Sequence, residues 1–386
     1  MSDTMPRAMR QPVGLKLASN AFLAFWLLLA AFPLVWVLAM SFKSPVDAFS
    51  PDAAEVIIGP RTLADGNGLS TVDIILGLLA IYLSIKAATK WLMPMAAGDG
   101  LGQKLFSWAV IALGFAMVAL FGLFVVVPWL AGPLEGWLGP LGAPVLGLTT
   151  EHYEAVWVEN QFYRQFQNSM IVTFGVVTVS LTVGTLAGYG LARSGSTLAF
   201  WILIVALIFR ALPHSVLVAG YLPVFINSAE ILAPILGENA PTLYGQPLAV
   251  IAVLVAINQP FTIWMLRSFF QNIPVDLDES ARVDGCTHFQ AFRWVIMPVM
   301  WPGVITTGLF SFLLAYNDFL VTSLLLDASN QTMVPAIAGY FNRETTTTDQ
   351  VEAIAAAVSI TAPLFLLVMI FQRQIVSGLT AGAVKG

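Results

Sequence analysis

The sequence is short of charge, of cysteine and of histidine. Only 10% of its 386 residues are Asp, Glu, Lys or Arg, whereas soluble domains average about 25%. A surface so poor in charge does not stay dissolved, so lipid must cover much of it. The single cysteine, Cys286, excludes an internal disulfide. The histidines, His152, His214 and His288, are far apart, and with Cys286 they offer no metal-ligand spacing. No run of like charges marks a nucleic-acid-binding tail. No Gly-x-x-x-x-Gly-Lys-Ser/Thr phosphate loop occurs, so any nucleotide-driven motor is a separate chain. No clustered nucleophile, acid, base or metal set points to a membrane-embedded enzyme.

What the chain has is apolar length, with 58% hydrophobic residues. A helix needs about 20 mostly apolar residues to cross a bilayer. Eight stretches qualify, at roughly 17–40, 73–93, 105–131, 169–192, 197–222, 248–270, 303–326 and 354–377. Arg7, Arg10 and Lys16 precede the first. That run is longer than a signal-peptide core and ends at Met40-Ser41-Phe42-Lys43, so it reads as an uncleaved span. Pro33, Pro213 and Pro363 lie inside spans, where membrane helices tolerate proline. The expected fold is an all-α integral membrane protein. With the N-terminus in the cytoplasm, 12 of the 17 lysines and arginines fall on the inside. Lys43, Arg61, Arg164 and Arg343 fall outside, and Arg210 falls within a span. Both termini are then cytoplasmic. The Gly- and Pro-rich segments 94–103 and 131–149 read as loops, and no internal repeat is evident.

The longest inner segment runs from Ile273 to Pro302. Asp276 followed by Glu279 reads as an N-cap with an acidic partner, opening a short helix. Gly285 is placed to end that helix in the left-handed conformation. Thr287 with Gln290 forms a second capping box. Phe289, Phe292, Trp294, Val295 and Ile296 make the second helix apolar, and Pro298 and Pro302 mark the return to the membrane. Asp276, Asp278, Glu279 and Asp284 read as solvated helix-end carboxylates, not as catalytic acids. On the residues alone, lipid headgroups and a docked protein are both open as the segment's partner.

Within the membrane, Asn258, Gln259, Arg210, Tyr316, Asn317 and Asp318 are candidates for lining a substrate path, since polar and ionisable groups inside spans are costly and often functional. The competing reading is interhelical bonding, with Asp318 bonded to backbone or paired with Arg210. An ion-gradient-driven secondary transporter would require inverted repeats and several buried charges, which are not visible.

Glu279-Ser280-Ala281, Gly285 and Ile296-Met297-Pro298 resemble the EAA loop of binding-protein-dependent ABC transporter permeases. Ser280 replaces an alanine of that pattern, and the residue type just before Pro298 does not match. Ser41-Phe-Lys-Ser-Pro45, Asn168-Ser169, Ala187-Gly-Tyr-Gly-Leu-Ala-Arg193, Trp264-Met-Leu-Arg-Ser-Phe269 and the C-terminal Gly378–Gly386 resemble the carbohydrate-uptake, maltose-type branch, and the long form resembles alpha-glucoside permeases.

The resemblance implies a six-helix type I ABC importer permease core with two inserted helices. It divides the chain into 1–50, an inserted block 51–149, and a core 150–386 with its coupling loop at 271–300. It implies a non-catalytic subunit in a bacterial inner membrane. The expected partners are a second permease, an ABC ATPase dimer and a periplasmic sugar-binding protein, with a carbohydrate as cargo, membrane lipid around it and no nucleic acid. No cofactor is bound directly, and ATP is used by the partner ATPase. Glu279, Ser280, Ala281, Asp284, Gly285, Phe289, Phe292 and Pro298 are the implied coupling residues.

Overall fold

The structure, a computed structural model, describes residues 13–87, 122, 126–342 and 346–383. They form two compact units. One holds the chain to residue 154 and a short piece at 345–355, and the other holds 155–344 and 356–386. These units divide elsewhere than at residues 50 and 149.

The first unit begins with α1 (Val13–Met40), whose most apolar stretch is unburied by the rest of the chain. Short helices α2 (Pro45–Ala48), α3 (Ala53–Ile58) and α4 (Pro60–Ala64) follow. Strand β1 (Gly68–Ser70), α5 (Thr71–Ala87), α6 (Val127–Leu138), β2 (Pro144–Gly147) and α7 (Glu151–Glu154) complete it. Two expectations are corrected here. Segment 131–149 is not a loop: most of its first part is helical, despite Pro133, and its end is a strand. In lipid a helix satisfies its own backbone whatever its glycine content, so composition alone misreads such a segment. The all-α fold also carries one small antiparallel sheet, with Leu69 opposite Leu146.

A buried polar knot ties the stretch after α1 to Arg61, Thr62, Gly147 and His152. Lys43 and Asp47 are both 1% exposed. Lys43 Nζ donates to the Gly147 carbonyl, and His152 Nε2 lies 2.9 Å from the Lys43 carbonyl. Asp47 accepts from the Thr62 N–H and hydroxyl at 2.7 Å each and from the Arg61 N–H at 3.2 Å. Burial alone would raise the Asp47 carboxyl, but these bonds outweigh it and hold it below the usual range. Burial lowers both Lys43 and His152, opposed by Asp47 in the first case and by the Lys43 carbonyl in the second. Gly147 is required by this packing, because a Cβ there would stand 2.3 Å from the Gly59 carbonyl oxygen.

The second unit contains α8 (Tyr163–Arg193), α9 (Thr197–Arg210), α10 (His214–Ile226), α11 (Ser228–Leu236) and α12 (Pro247–Gln271). Then come α13 (Asp276–Val283), α14 (His288–Ala291), a π-turn (Phe292–Ile296) and α15 (Met297–Tyr316). The last elements are α16 (Leu320–Leu325), α17 (Met333–Asn342) and α18 (Thr347–Ala383), the last of which begins in the first unit. The core is the seam of α8 on α12. Gly184 and Gly188, one turn apart on α8, let the backbones close: a Cβ on Gly188 would stand 3.0 Å from the Arg267 nitrogen. This is the small-xxx-small packing of membrane helices. Val172, Val176, Val250, Val253, Leu254 and Ile257 fill the seam at one end.

Among the described residues, 14–40, 163–193, 247–271 and 288–316 are helical, long and apolar enough to cross a membrane. The expected third span, 105–131, and the loop 94–103 lie mostly or wholly outside the described residues. Two expected spans are corrected. Stretch 197–222 is not one rod, because α9 and α10 meet at 97°. Pro213 has no N–H to continue the helix and disfavours helical backbone at Leu212. Stretch 303–326 is also broken. Its helix stops at Tyr316, where the Asn317 side chain donates to the Leu313 carbonyl at 3.2 Å. Asp318 then accepts from the Thr322 N–H at 2.9 Å and starts α16, so it lies in a break between helices and not inside a span.

Candidate functional site: the loop between α12 and α15

Local chemistry sets the ends of α13. The expected Asp276 cap is not used. The carbonyl of Val275 receives the Asp278 and Glu279 N–H groups, and Val275 is the cap residue, with no side-chain bond. Asp276 is already in the first turn, where its charge still favours the positive end of the dipole. At the other end Gly285 takes φ of +92°. Its N–H reaches the Arg282 carbonyl at 3.1 Å, and the Cys286 N–H reaches the Ala281 carbonyl at 3.0 Å. This pair of bonds is a Schellman motif. The capping box that follows is formed as expected: Thr287 N–H donates to Gln290 Oε1 at 2.8 Å, and the Gln290 N–H donates to Thr287 Oγ1 at 3.3 Å.

The second loop helix is not a separate element. It continues through the π-turn into α15, with the Met297 N–H bonded to the Phe292 carbonyl. Pro298 lacks the N–H that would bond one regular turn back, and the wide π-turn just before it absorbs that gap.

The inner face of the loop is tied down. Asp278 is 8% exposed, so its reading as a solvated carboxylate is corrected. The Tyr189 hydroxyl donates to Asp278 Oδ1 at 2.6 Å, and Arg193 Nε donates to Asp278 Oδ2 at 2.8 Å. Arg193 also donates to the carbonyls of Phe270 (3.4 Å) and Ile273 (3.2 Å). One guanidinium thus joins the end of α8, the end of α12 and the start of α13. Beneath it, Tyr189 packs against Phe270 and Phe292, with ring centroids 5.5 and 4.8 Å apart. Leu266, Ile273, Ile296 and Met300 complete this apolar cluster. Ala281 and Phe292 are therefore interior groups.

The outer face is open. Asp276, Glu279, Ser280, Val283 and Asp284 line a shallow concavity. Val283 is 87% exposed, Phe289 61% and Trp294 68%, while Gly285 and Pro298 are also at the surface. The loop therefore presents a rim of carboxylates and apolar side chains on a backing fixed from within.

Of the intramembrane polar residues, Arg210 and Gln259 line adjoining pockets, while Asn258 and Tyr316 are buried between helices. Asn258 is 1% exposed and donates to Thr262 Oγ1 (3.0 Å) and Ser311 Oγ (2.7 Å), joining α12 to α15. Tyr316 is sealed, with its hydroxyl on the Ile360 carbonyl at 2.7 Å. Asn317 is exposed at the helix break. Arg210 lies over the Phe261 ring at 4.8 Å and lines a pocket of about 260 Å³ with Phe209, Leu217, Tyr221 and Pro260. Its guanidinium has no carboxylate partner among the described residues, so it is not paired with Asp318. Gln259 lines an adjoining, mainly apolar pocket with Leu191, Leu203 and Ile263, which shares Ala206, Ala256 and Pro260 with the Arg210 pocket.

Tyr189 and Arg193 stand within the sequence motif 187–193, which by itself assigns them no role. The available signal is an arginine closing a long apolar helix, with acids clustered at the start of the short polar helix α13.

Residues 180–380 match the family described as binding-protein-dependent transport system inner membrane component. The diacetylchitobiose uptake system permease protein DasC of Streptomyces coelicolor is 33% identical over 62% of this chain and 82% of that protein. The trehalose transport system permease protein SugB of Mycobacterium tuberculosis is 30% identical over 62% and 83%. The trehalose/maltose transport system permease protein MalG of Thermococcus litoralis is 29% identical over 74% and 99%. A bacterial ABC transporter that imports the acidic polysaccharide alginate gives a TM-score of 0.48 at 16% identity, covering 72% of this chain and 98% of that one. The chain therefore belongs to the binding-protein-dependent transport system inner membrane component family, as a multi-pass, non-catalytic permease of carbohydrate-uptake ABC importers.

Proposed function

We propose that this permease passes a small oligosaccharide such as an alpha-glucoside, delivered by a periplasmic binding protein, across a bacterial inner membrane. A second permease completes the path, and a separate ATPase dimer drives it through the α13 loop. The observation that carries the coupling role is the loop's two-sidedness: an exposed rim of Asp276, Glu279, Val283, Asp284 and Phe289 on an immobilised backing. Glu279, Ser280, Asp284, Gly285 and Phe289 are the contact set. Ala281, Phe292 and Pro298 act by shaping the element that carries them. The relatives' names, which include trehalose, maltose and diacetylchitobiose, support an oligosaccharide cargo. Arg210 with its aromatic pocket is the residue of the path set best placed to meet a sugar. Asn258 and Tyr316 hold helices together.

In this reading the chain has eight spans, with both termini in the cytoplasm. The inserted block 51–149 adds two of them. The decisive experiment has two arms. Cross-linking from Val283→Cys should capture the ATPase subunit, and uptake competition in a deletion strain should rank alpha-glucosides above polyols and monosaccharides. An ATPase that purifies without contact to residues 273–302, or uptake indifferent to alpha-glucosides, sinks the respective half. Reporter fusions at residues 98 and 140 should read cytoplasmic and periplasmic.

A further inference from the structure

We infer that Tyr189, Arg193 and Asp278 form a latch that makes the coupling helix drive α8 as well as α15. This rests on the reading of the loop as the ATPase-docking element. Helix α13 has eight residues. A helix this short has little stability of its own and depends on its surroundings. By backbone it is joined to the membrane helices through residues 272–275 on one side and the glycine turn at 284–287 on the other. Without a further tie, a push on Val283 or Asp284 would rotate α13 about those two joints and dissipate.

The latch removes that freedom. Asp278 is held at both oxygens, by the Tyr189 hydroxyl and by Arg193 Nε. The same guanidinium is anchored on the Phe270 and Ile273 carbonyls. The pair is largely screened from water, with side chains 16% and 12% exposed. Its geometry is therefore enforced by desolvation: breaking it leaves a charge without a partner. Arg193 is the last residue of α8 and Tyr189 lies one turn earlier. Displacement of α13 is thus delivered to the cytoplasmic end of a 31-residue helix, whose glycine face packs closely against α12. The other route out of the loop is the unbroken path through the π-turn into α15. Two output helices from one input explain why a carboxylate inside the loop is buried against a different part of the chain. These are positioning residues, set behind the docking rim and not on it.

The test uses the complete importer in proteoliposomes, with Asp278→Asn, Arg193→Gln, Tyr189→Phe and the reciprocal Arg193→Asp/Asp278→Arg swap, each also carrying Val283→Cys. Cross-linking to the ATPase should persist in all of them. ATP hydrolysis should stay within about twofold, while sugar moved per ATP falls about fivefold to tenfold in the charge variants and less in Tyr189→Phe. The swap should recover part of the loss. An unchanged ratio of transport to hydrolysis in the charge variants overturns the latch. So does a proportional fall in both activities, which marks a merely structural pair. Absence of the cross-link in the otherwise unaltered Val283→Cys protein instead removes the docking reading, and the latch with it.

Discussion

Gly188 and Gly190 lie two residues apart on α8, and replacing each by alanine isolates the packing of the α8–α12 seam. Both substitutions gain helix propensity, about 1 kcal/mol each. Only one meets an obstacle. A Cβ on Gly188 would stand 3.0 Å from the Arg267 nitrogen, 3.1 Å from Leu266 Cβ and 3.4 Å from the Ile263 carbonyl oxygen. Two of those neighbours are backbone and cannot rotate away, so the helices must separate. Overpacking of this kind costs about 1–3 kcal/mol. A Cβ on Gly190 meets nothing within 4 Å. Propensity cancels between the variants, so their difference is the seam term, about 1–3 kcal/mol in favour of Gly190→Ala. Thermal unfolding of the purified importer in detergent should show Gly188→Ala melting several degrees below Gly190→Ala. Equal midpoints, or the reverse order, would refute this account of the seam.

Gly285 raises a different question, because its Cβ would have open space within the chain and only its φ of +92° resists substitution. Gly285→Ala should cost about 1–2 kcal/mol of left-handed strain, and Gly285→Asn less. Gly285→Asp should insert normally, abolish transport and release ATP hydrolysis from control by the binding protein, and normal uptake by that well-expressed variant would be incompatible with the docking role. Asn258→Leu should lower stability by about 1 kcal/mol through the lost interhelical bond to Ser311 and the lost bond to Thr262 within α12 without altering sugar preference in competition assays; a changed preference would return Asn258 to the sugar path. For the knot around Lys43, burial holds His152 below its ordinary value, so the unfolded chain takes up a proton before the folded one does. Stability of that knot should fall as pH drops through the ordinary histidine range toward the lower folded value. Asp47, also depressed, should add a second loss only as pH falls below the ordinary aspartate range. Hydrogen exchange at residues 41–64 reads both phases, and His152→Leu should erase the first.

The parts of the loop that could be read in advance are those whose partners are neighbours in sequence. Thr287 and Gln290 are three residues apart, and Gly285 needs only its own conformation to stop a helix. Asp278 and Arg193 are separated by 85 residues, and nothing local distinguishes Asp278 from Asp276, which faces water. The same limit explains the misplaced spans. Hydropathy sums over a window, so it passes through the bend at Pro213 and the break at Asn317–Asp318, where single backbone groups decide the path. It also misses that Gly- and Pro-containing residues 127–138 can be helical. At Asn258 polarity within the membrane fits a sugar contact and an interhelical bond alike, and only the fold shows the side chain bonded to Thr262 and Ser311.

The unbroken helix from His288 to Tyr316 has a mechanical consequence. Its 29 residues make a rod about 43 Å long. The exposed side chain Phe289 is at one end and the Asn317 break is at the other. A tilt of about 10° at the Phe289 end sweeps the far end through about 7 Å if the rod stays stiff, enough to open or close a passage of sugar width. The amplitude of the stroke is then set by length and stiffness. A change that softens the π-turn at Phe292–Ile296 would shorten the stroke while leaving every contact with the motor in place.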